Sequence, residues 1–247
     1  MTLVFDDEGT GSPVVLLHSS AADSRMWDPQ WEALTARFRV IRPDLRGYGR
    51  TPYAAEKPYS DPGDVAELLA ALDLSQVALV GSSYGGRVAL ELATAHPGLV
   101  TRLVLLNAGC GLEATPDLEE FGAEEDRLLE AGEVEAAVGL NVRTWLGPEA
   151  DETTRARLGE MQRHAFEAQL AADPEPSQLE QEIDLAVVTA PALVVSGAHD
   201  LPYFRASARH LAAALPSATP VELPWAGHLP GMERPEEITA LILGFLA

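Results

Sequence analysis

Short aliphatic runs separated by helix-length stretches constrain this chain more than any other feature. They occupy residues 14–17, 40–41, 77–80, 103–106 and 193–195, and each ends at a polar or small residue. A half-buried strand alternates apolar and polar residues, whereas an unbroken aliphatic run belongs to a strand covered on both faces. Between the runs, residues 28–37, 61–72, 85–95 and 203–215 read as helices. A last helix starts near Pro235, where a proline and two acids fill the first turn. The alternation predicts an α/β fold: a mostly parallel central sheet with helices on both faces.

One stretch breaks the pattern. From Gly111 onward the chain is rich in helix formers and poor in strand-like runs. Residues 118–131, 134–145 and 153–170 read as at least three amphipathic helices. A helical insertion between two strands suits a lid over a site. Residues 1–110 and 187–247 are therefore expected to form the core, and residues 111–186 a helical cap. The cap segment carries 20 Asp and Glu against 5 Arg, most of the chain's net charge of −21. Such a field repels phosphate backbones and anionic membrane surfaces, so nucleic acid and membranes are not expected partners.

The 247 residues fit one α/β domain. No basic stretch followed by a long apolar run opens the sequence, and the single cysteine, Cys110, excludes an internal disulfide. A cytoplasmic location is the expectation.

The chemistry centres on Val77-Ala-Leu-Val-Gly81-Ser82-Ser83-Tyr84-Gly85-Gly86, a G-x-S-x-G set between a strand and a helix. The chain must reverse within a few residues there. Small residues two before and two after Ser83 let strand and helix approach, so the serine projects over the strand end. The next N–H, of Tyr84, then points where an oxyanion would form. A serine needs a base, and the base needs an orienting acid. His228 lies on the loop Pro224-Trp-Ala-Gly227-His228 after a strand-like 221–223. Asp200 follows the buried run at 193–195, with Asp117 as the rival acid. The other histidines have no comparable case: His96, His164 and His210 fall in helical patterns, and His199 only adjoins the acid. Leu16-Leu17-His18-Ser19-Ser20, after an early strand, would supply a second oxyanion N–H.

Together these motifs resemble the α/β-hydrolase superfamily over essentially the full length. Leu-Leu-His18, Asp44-Leu-Arg46-Gly47-Tyr48-Gly49, Gly81-Ser-Ser83-Tyr-Gly85, Gly197-Ala-His-Asp200 and Gly227-His228-Leu-Pro stand in that family's order. The resemblance implies Ser83, Asp200 and His228 as a catalytic triad, and the N–H groups of Ser20 and Tyr84 as the oxyanion hole. It implies no metal and no organic cofactor. The family usually has glycine after the histidine of the oxyanion turn; here it is Ser19, which leaves the choice between Ser19 and Ser20 open. Met26-Trp27-Asp28-Pro29-Gln30 resembles enol-lactonase-like members. A serine at 83, where haloalkane dehalogenases and epoxide hydrolases carry aspartate, argues against those branches. Leu229 argues against ring-cleavage carbon–carbon hydrolases, which tend to carry tryptophan there.

The expected function is a serine hydrolase acting on a small ester or lactone. Carbon–carbon hydrolysis or perhydrolysis with the same triad is the nearest alternative; a lyase or a non-catalytic receptor on this fold stands further off. Ser19, Trp27, Trp145, Phe166, Tyr203 and Leu229 are the candidate pocket residues. The acidic cap predicts a preference for neutral over carboxylate-bearing substrates, unless a buried arginine such as Arg143 reverses it.

Overall fold

The computed structural model describes residues 3–247. A seven-stranded sheet runs in the order β1-β3-β2-β4-β5-β6-β7. Its strands are β1 (Phe5–Glu8), β2 (Pro13–Leu17), β3 (Arg39–Pro43), β4 (Val77–Ser82), β5 (Val100–Leu106), β6 (Ala192–Gly197) and β7 (Ala218–Leu223). All neighbours pair in parallel except β1, which is antiparallel to β3. The α/β expectation holds.

The aliphatic runs are continuous because successive side chains enter two different cores. Val14, Leu16, Ala78, Val80, Val104 and Leu106 join one cluster with Ile238 and Ile242 of the helix Pro235–Leu246 and Leu34 of α1 (Asp28–Thr35). Val15, Leu17, Leu79, Leu103 and Leu105 join the other. There they meet α2 (Asp61–Ala71), α3 (Tyr84–Ala95) and Leu211 of α7 (Pro202–Ala214). Period-2 geometry sends every aliphatic residue of a strand to one face or the other, so none is left for water.

β1 has no aliphatic run and was not anticipated. It pairs with β3 at the sheet edge, and its acids make ion pairs there: Asp7 accepts from Arg39 at 2.6 Å, and Asp6 from Arg42 at 2.9 Å and Arg50 at 2.8 Å. Charge on an edge strand also discourages pairing with another chain.

Between β5 and β6 the chain forms α4 (Pro116–Glu130), α5 (Val134–Trp145) and α6 (Glu152–Leu170). Leu128, Ala137, Val138 and Phe166 make a small core among these helices. Trp145, Leu146, Leu158 and Met161 instead join the main cluster, tying the helices to the sheet. The segment after α6 returns beside the β3–α2 connection, where Tyr59 bridges to Gln178. Among the described residues no helix is long and apolar enough to cross a membrane.

The β4–α3 turn positions everything that follows. A Cβ on Gly81 would lie 2.4 Å from the Gly85 carbonyl oxygen. One on Gly85 would lie 2.3 Å from the Leu17 carbonyl oxygen and 2.5 Å from that of His18. Backbone on both sides leaves no room for relaxation. Gly85→Ala is expected to cost about 2–3 kcal/mol by overpacking, a Tm drop on the order of 5–10 °C by thermal denaturation. An unchanged Tm would mean that strand and helix separate without penalty.

Candidate active site

Ser83 sits at the tip of that turn with φ 54° and ψ −116°. This is a sparsely populated conformation for a residue with a side chain, and it persists only where the surroundings enforce it. Its N–H donates to the Leu106 carbonyl at 2.8 Å, anchoring the turn to β5. Its Oγ lies 2.6 Å from His228 Nε2, and His228 Nδ1 lies 2.7 Å from Asp200 Oδ2. The other Asp200 oxygen accepts the Leu201 N–H at 2.7 Å. All three side chains are buried. Asp117, the rival acid, occupies the first turn of α4, while Asp200 holds the His228 ring.

The loop that presents His228 is fixed by groups with no sequence motif of their own. Asn107, fully buried at φ 49°, follows β5. Its Nδ2 donates to the carbonyls of Gly227 (3.1 Å) and His228 (2.9 Å), and its Oδ1 accepts the Gly197 N–H at 2.8 Å. One amide thereby ties the ends of β5 and β6 to the histidine loop. The His228 N–H donates to the Trp145 carbonyl at 2.9 Å, joining the loop to α5. Glu233 accepts the Gly227 N–H at 3.1 Å. Burial pushes the Glu233 carboxyl above the usual range, opposed by the N–H groups of Gly227, Gly147 and Leu229. Asn107 and Glu233 were missed because a single polar residue after a strand or on a short helix carries no pattern.

At the turn after β2, His18 Nε2 accepts the Leu45 N–H at 2.9 Å, which leaves Nδ1 to donate to the Ser19 carbonyl at 2.8 Å. The Ser19 N–H is engaged by Met26 Sδ at 3.4 Å, and Ser19 Oγ accepts the Ala21 N–H. The N–H groups of Ser20 and Tyr84 have no protein acceptor among the described residues.

The expected pocket residues divide. Trp145 lies against His228 with ring centroids 4.6 Å apart, held by an Nε1–H bond to Asn141 Oδ1 at 2.7 Å. The second ring on His228 is Phe204, at 4.1 Å, and not its neighbour Tyr203, which packs edge-on to Phe204. The 3.6-residue period turns adjacent helix positions to different sides. Phe166 is in the separate core of α4–α6, a correction to its placement at the pocket. Trp27 and Leu229 are fully buried in the main core and offer no lining surface. Arg143 is exposed; the buried guanidinium is Arg46, 5% exposed and paired with Asp64.

Ser20 and Tyr84 also line a cavity of about 220 Å³, together with Arg46, Tyr48, Tyr59 and Asp61. Neither this cavity nor the larger surface clefts of about 700 and 940 Å³ include Ser83, Asp200 or His228. No group of three or more His, Cys, Asp or Glu side chains among the described residues is arranged to hold a metal ion.

Replacing Asn107 by Ala strands one buried N–H and two carbonyls, for a cost of about 3 kcal/mol. Denaturant unfolding is expected to show this loss. A change below about 0.5 kcal/mol, the ordinary scatter of a surface substitution, would mean that Asn107 holds nothing in place.

Residues 14–241 match the model of the alpha/beta hydrolase family. The fold superposes on the enol-lactonase from Burkholderia xenovorans LB400 with a TM-score of 0.82 at 27% identity, covering 99% of this chain and 96% of that one. A thermophilic esterase from Thermogutta terrifontis gives 0.82 at 28% identity, covering 99% and 92%. Est816, described as an N-acyl homoserine lactone degrading enzyme, gives 0.79 at 28%, covering 98% and 96%. With the family model spanning most of the sequence and the fold shared from end to end, this chain belongs to the alpha/beta hydrolase family.

Proposed function

We propose that the protein hydrolyses a small carboxylic ester or lactone through an acyl-enzyme on Ser83. The observation that carries this reading is the unbroken line from Ser83 Oγ through the His228 ring to Asp200, at 2.6 and 2.7 Å. In this mechanism His228 takes the Ser83 proton as Oγ attacks the carbonyl carbon. Asp200 keeps the ring in the tautomer that presents Nε2 as acceptor and stabilises the imidazolium. The tetrahedral oxyanion accepts from the N–H groups of Ser20 and Tyr84, each worth about 3 kcal/mol of barrier. Their freedom from protein acceptors supports the role, and the commitment of the Ser19 N–H to Met26 favours Ser20 over Ser19. His228 then protonates the leaving alkoxide. The same imidazole deprotonates a water that attacks the acyl carbon, releasing the acid and returning the proton to Ser83.

On this reading α4, α5 and α6 are a cap. Trp145 from α5 and Phe204 from α7 cover the imidazole and exclude bulk water, which strengthens the hydrogen bonds beneath. The relatives named as an esterase, an enol-lactonase and a lactone-degrading enzyme support acyl transfer from oxygen. No cofactor is required, because every proton and electron pair moves between the three side chains, substrate and water.

An uncharged fluorophosphonate is expected to label wild-type protein at Ser83, seen as a mass shift on that peptide, and to leave Ser83→Ala unlabelled. Turnover of short-chain esters and lactones by Ser83→Ala should fall below about one per cent of wild type. Labelling elsewhere, or retained turnover, would overturn the assignment. Asp200→Asn is expected to lower kcat on the order of a thousandfold by favouring the wrong tautomer. If Asp117→Asn is the damaging change and Asp200→Asn is mild, the acid is misassigned.

A further inference from the structure

The cavity lined by Ser20 and Tyr84 contains a carboxylate that the proposed acyl transfer does not use and whose second oxygen has no partner among the described residues. Asp61 is the first residue of α2 and is 4% exposed. Its Oδ2 accepts from the Tyr84 hydroxyl at 2.5 Å and from Gln178 Nε2 at 2.8 Å. Its Oδ1 is buried and has no partner among the described residues. A buried acceptor without a donor opposes folding, so its retention calls for a use. Burial pushes the carboxyl up to about 6, against the Tyr84 hydrogen bond, and above that pH it is ionised.

The charge balance of the cavity is set by its pairs. Arg46 donates both to Asp64 and to the Ala54 carbonyl, and its guanidinium lies 4.8 Å from the Tyr59 ring centroid. With Arg46 neutralised by Asp64, Asp61 leaves the cavity with one uncompensated negative charge. Phenol oxygens of the surrounding tyrosines add acceptors, and aromatic faces also favour cations.

We propose that this cavity is a specificity subsite for an ammonium-bearing arm of the substrate, with the Asp61 carboxylate as its counter-charge. The proposal rests on the acyl-transfer reading above and deepens it. Tyr84 connects the two: its N–H faces the oxyanion and its hydroxyl holds Asp61. Ser20 lines the same cavity, so an ester whose carbonyl oxygen lies between these N–H groups can extend one arm to Asp61. A volume of about 220 Å³, roughly that of seven waters, fits a short arm and not a second large group.

The test compares matched short esters that end in a primary ammonium or in an isosteric uncharged group, with the charge placed on the acyl arm in one pair and on the alcohol arm in the other. Each kcat/KM at pH 8 is divided by the hydroxide-catalysed rate of the same ester. The ammonium member of at least one pair is expected to be favoured tenfold or more. The ratio should persist at about 0.5 M NaCl, where a diffuse surface field is screened and a buried contact is not. Asp61→Asn should bring it close to one. It should also melt no lower than wild type at pH 8, since it removes a buried charge without a cationic partner while an amide oxygen can still accept from Tyr84 and Gln178. A wild-type ratio within twofold of one in both pairs, a ratio that vanishes with salt, or a ratio unchanged in Asp61→Asn would each overturn the subsite. Should Asp61→Asn fail to fold, the wild-type ratios across the salt series decide alone. Failure of the acyl-transfer reading looks different: no ester of either kind is turned over and Ser83 is not labelled.

Discussion

Four central strands buried on both faces leave the protein few places for polar chemistry. β2, β4, β5 and β6 send alternate aliphatic side chains into two cores, so an ionisable group along their length would be desolvated without a partner. At the C-terminal ends the backbone leaves the sheet, and N–H groups and carbonyls become available. Ser83, Asn107 and Asp200 all follow such ends, and His18 follows β2. Parallel pairing makes these ends coincide in space, which is why residues far apart in sequence meet there.

What fixes the meeting to within hydrogen-bond reach is a set of short-range constraints. Gly81 and Gly85 allow α3 to descend onto β4 and β2, and the contact forces Ser83 into a positive φ. Asn107 does the corresponding task for the histidine loop with three hydrogen bonds from one side chain. The Trp145 carbonyl and Glu233 hold that loop from the side of α5 and of the short helix Pro230–Glu233. Since Trp145 also places its ring on the imidazole, motion of α5 and orientation of His228 are coupled through one residue.

Stability and use pull apart in two places. Ser83 is strained, and Asp61 is buried with an unpartnered oxygen. Both adjoin Tyr84. The neighbouring Arg46–Asp64 pair, by contrast, satisfies its charges internally and reads as structural. The acidic charge of the chain acts at a different range from Asp61. It shapes approach from solution and is screened by salt, whereas a buried carboxylate acts on a bound arm at contact distance.

The sequence by itself determined the parallel α/β architecture, because unbroken aliphatic runs and helical periodicity are local signals. It also determined which residues would be brought together as Ser83, Asp200 and His228, because each follows a strand and their order is informative. The aromatic surroundings of the imidazole were only partly legible: of Trp27, Trp145, Phe166 and Tyr203, only Trp145 stacks on it, while helix phase put Phe204 there in place of Tyr203, Phe166 lies in another core and Trp27 is fully buried. β1 escaped notice because it has no aliphatic run and its ladder partner β3 lies more than 30 residues away. Tertiary structure alone decided the roles of Asn107 and Glu233, the engagement of the Ser19 N–H by Met26, and the burial of Asp61. Each depends on which distant donor or acceptor comes within about 3 Å, and hydrogen bonding at that range leaves no periodic trace along a chain.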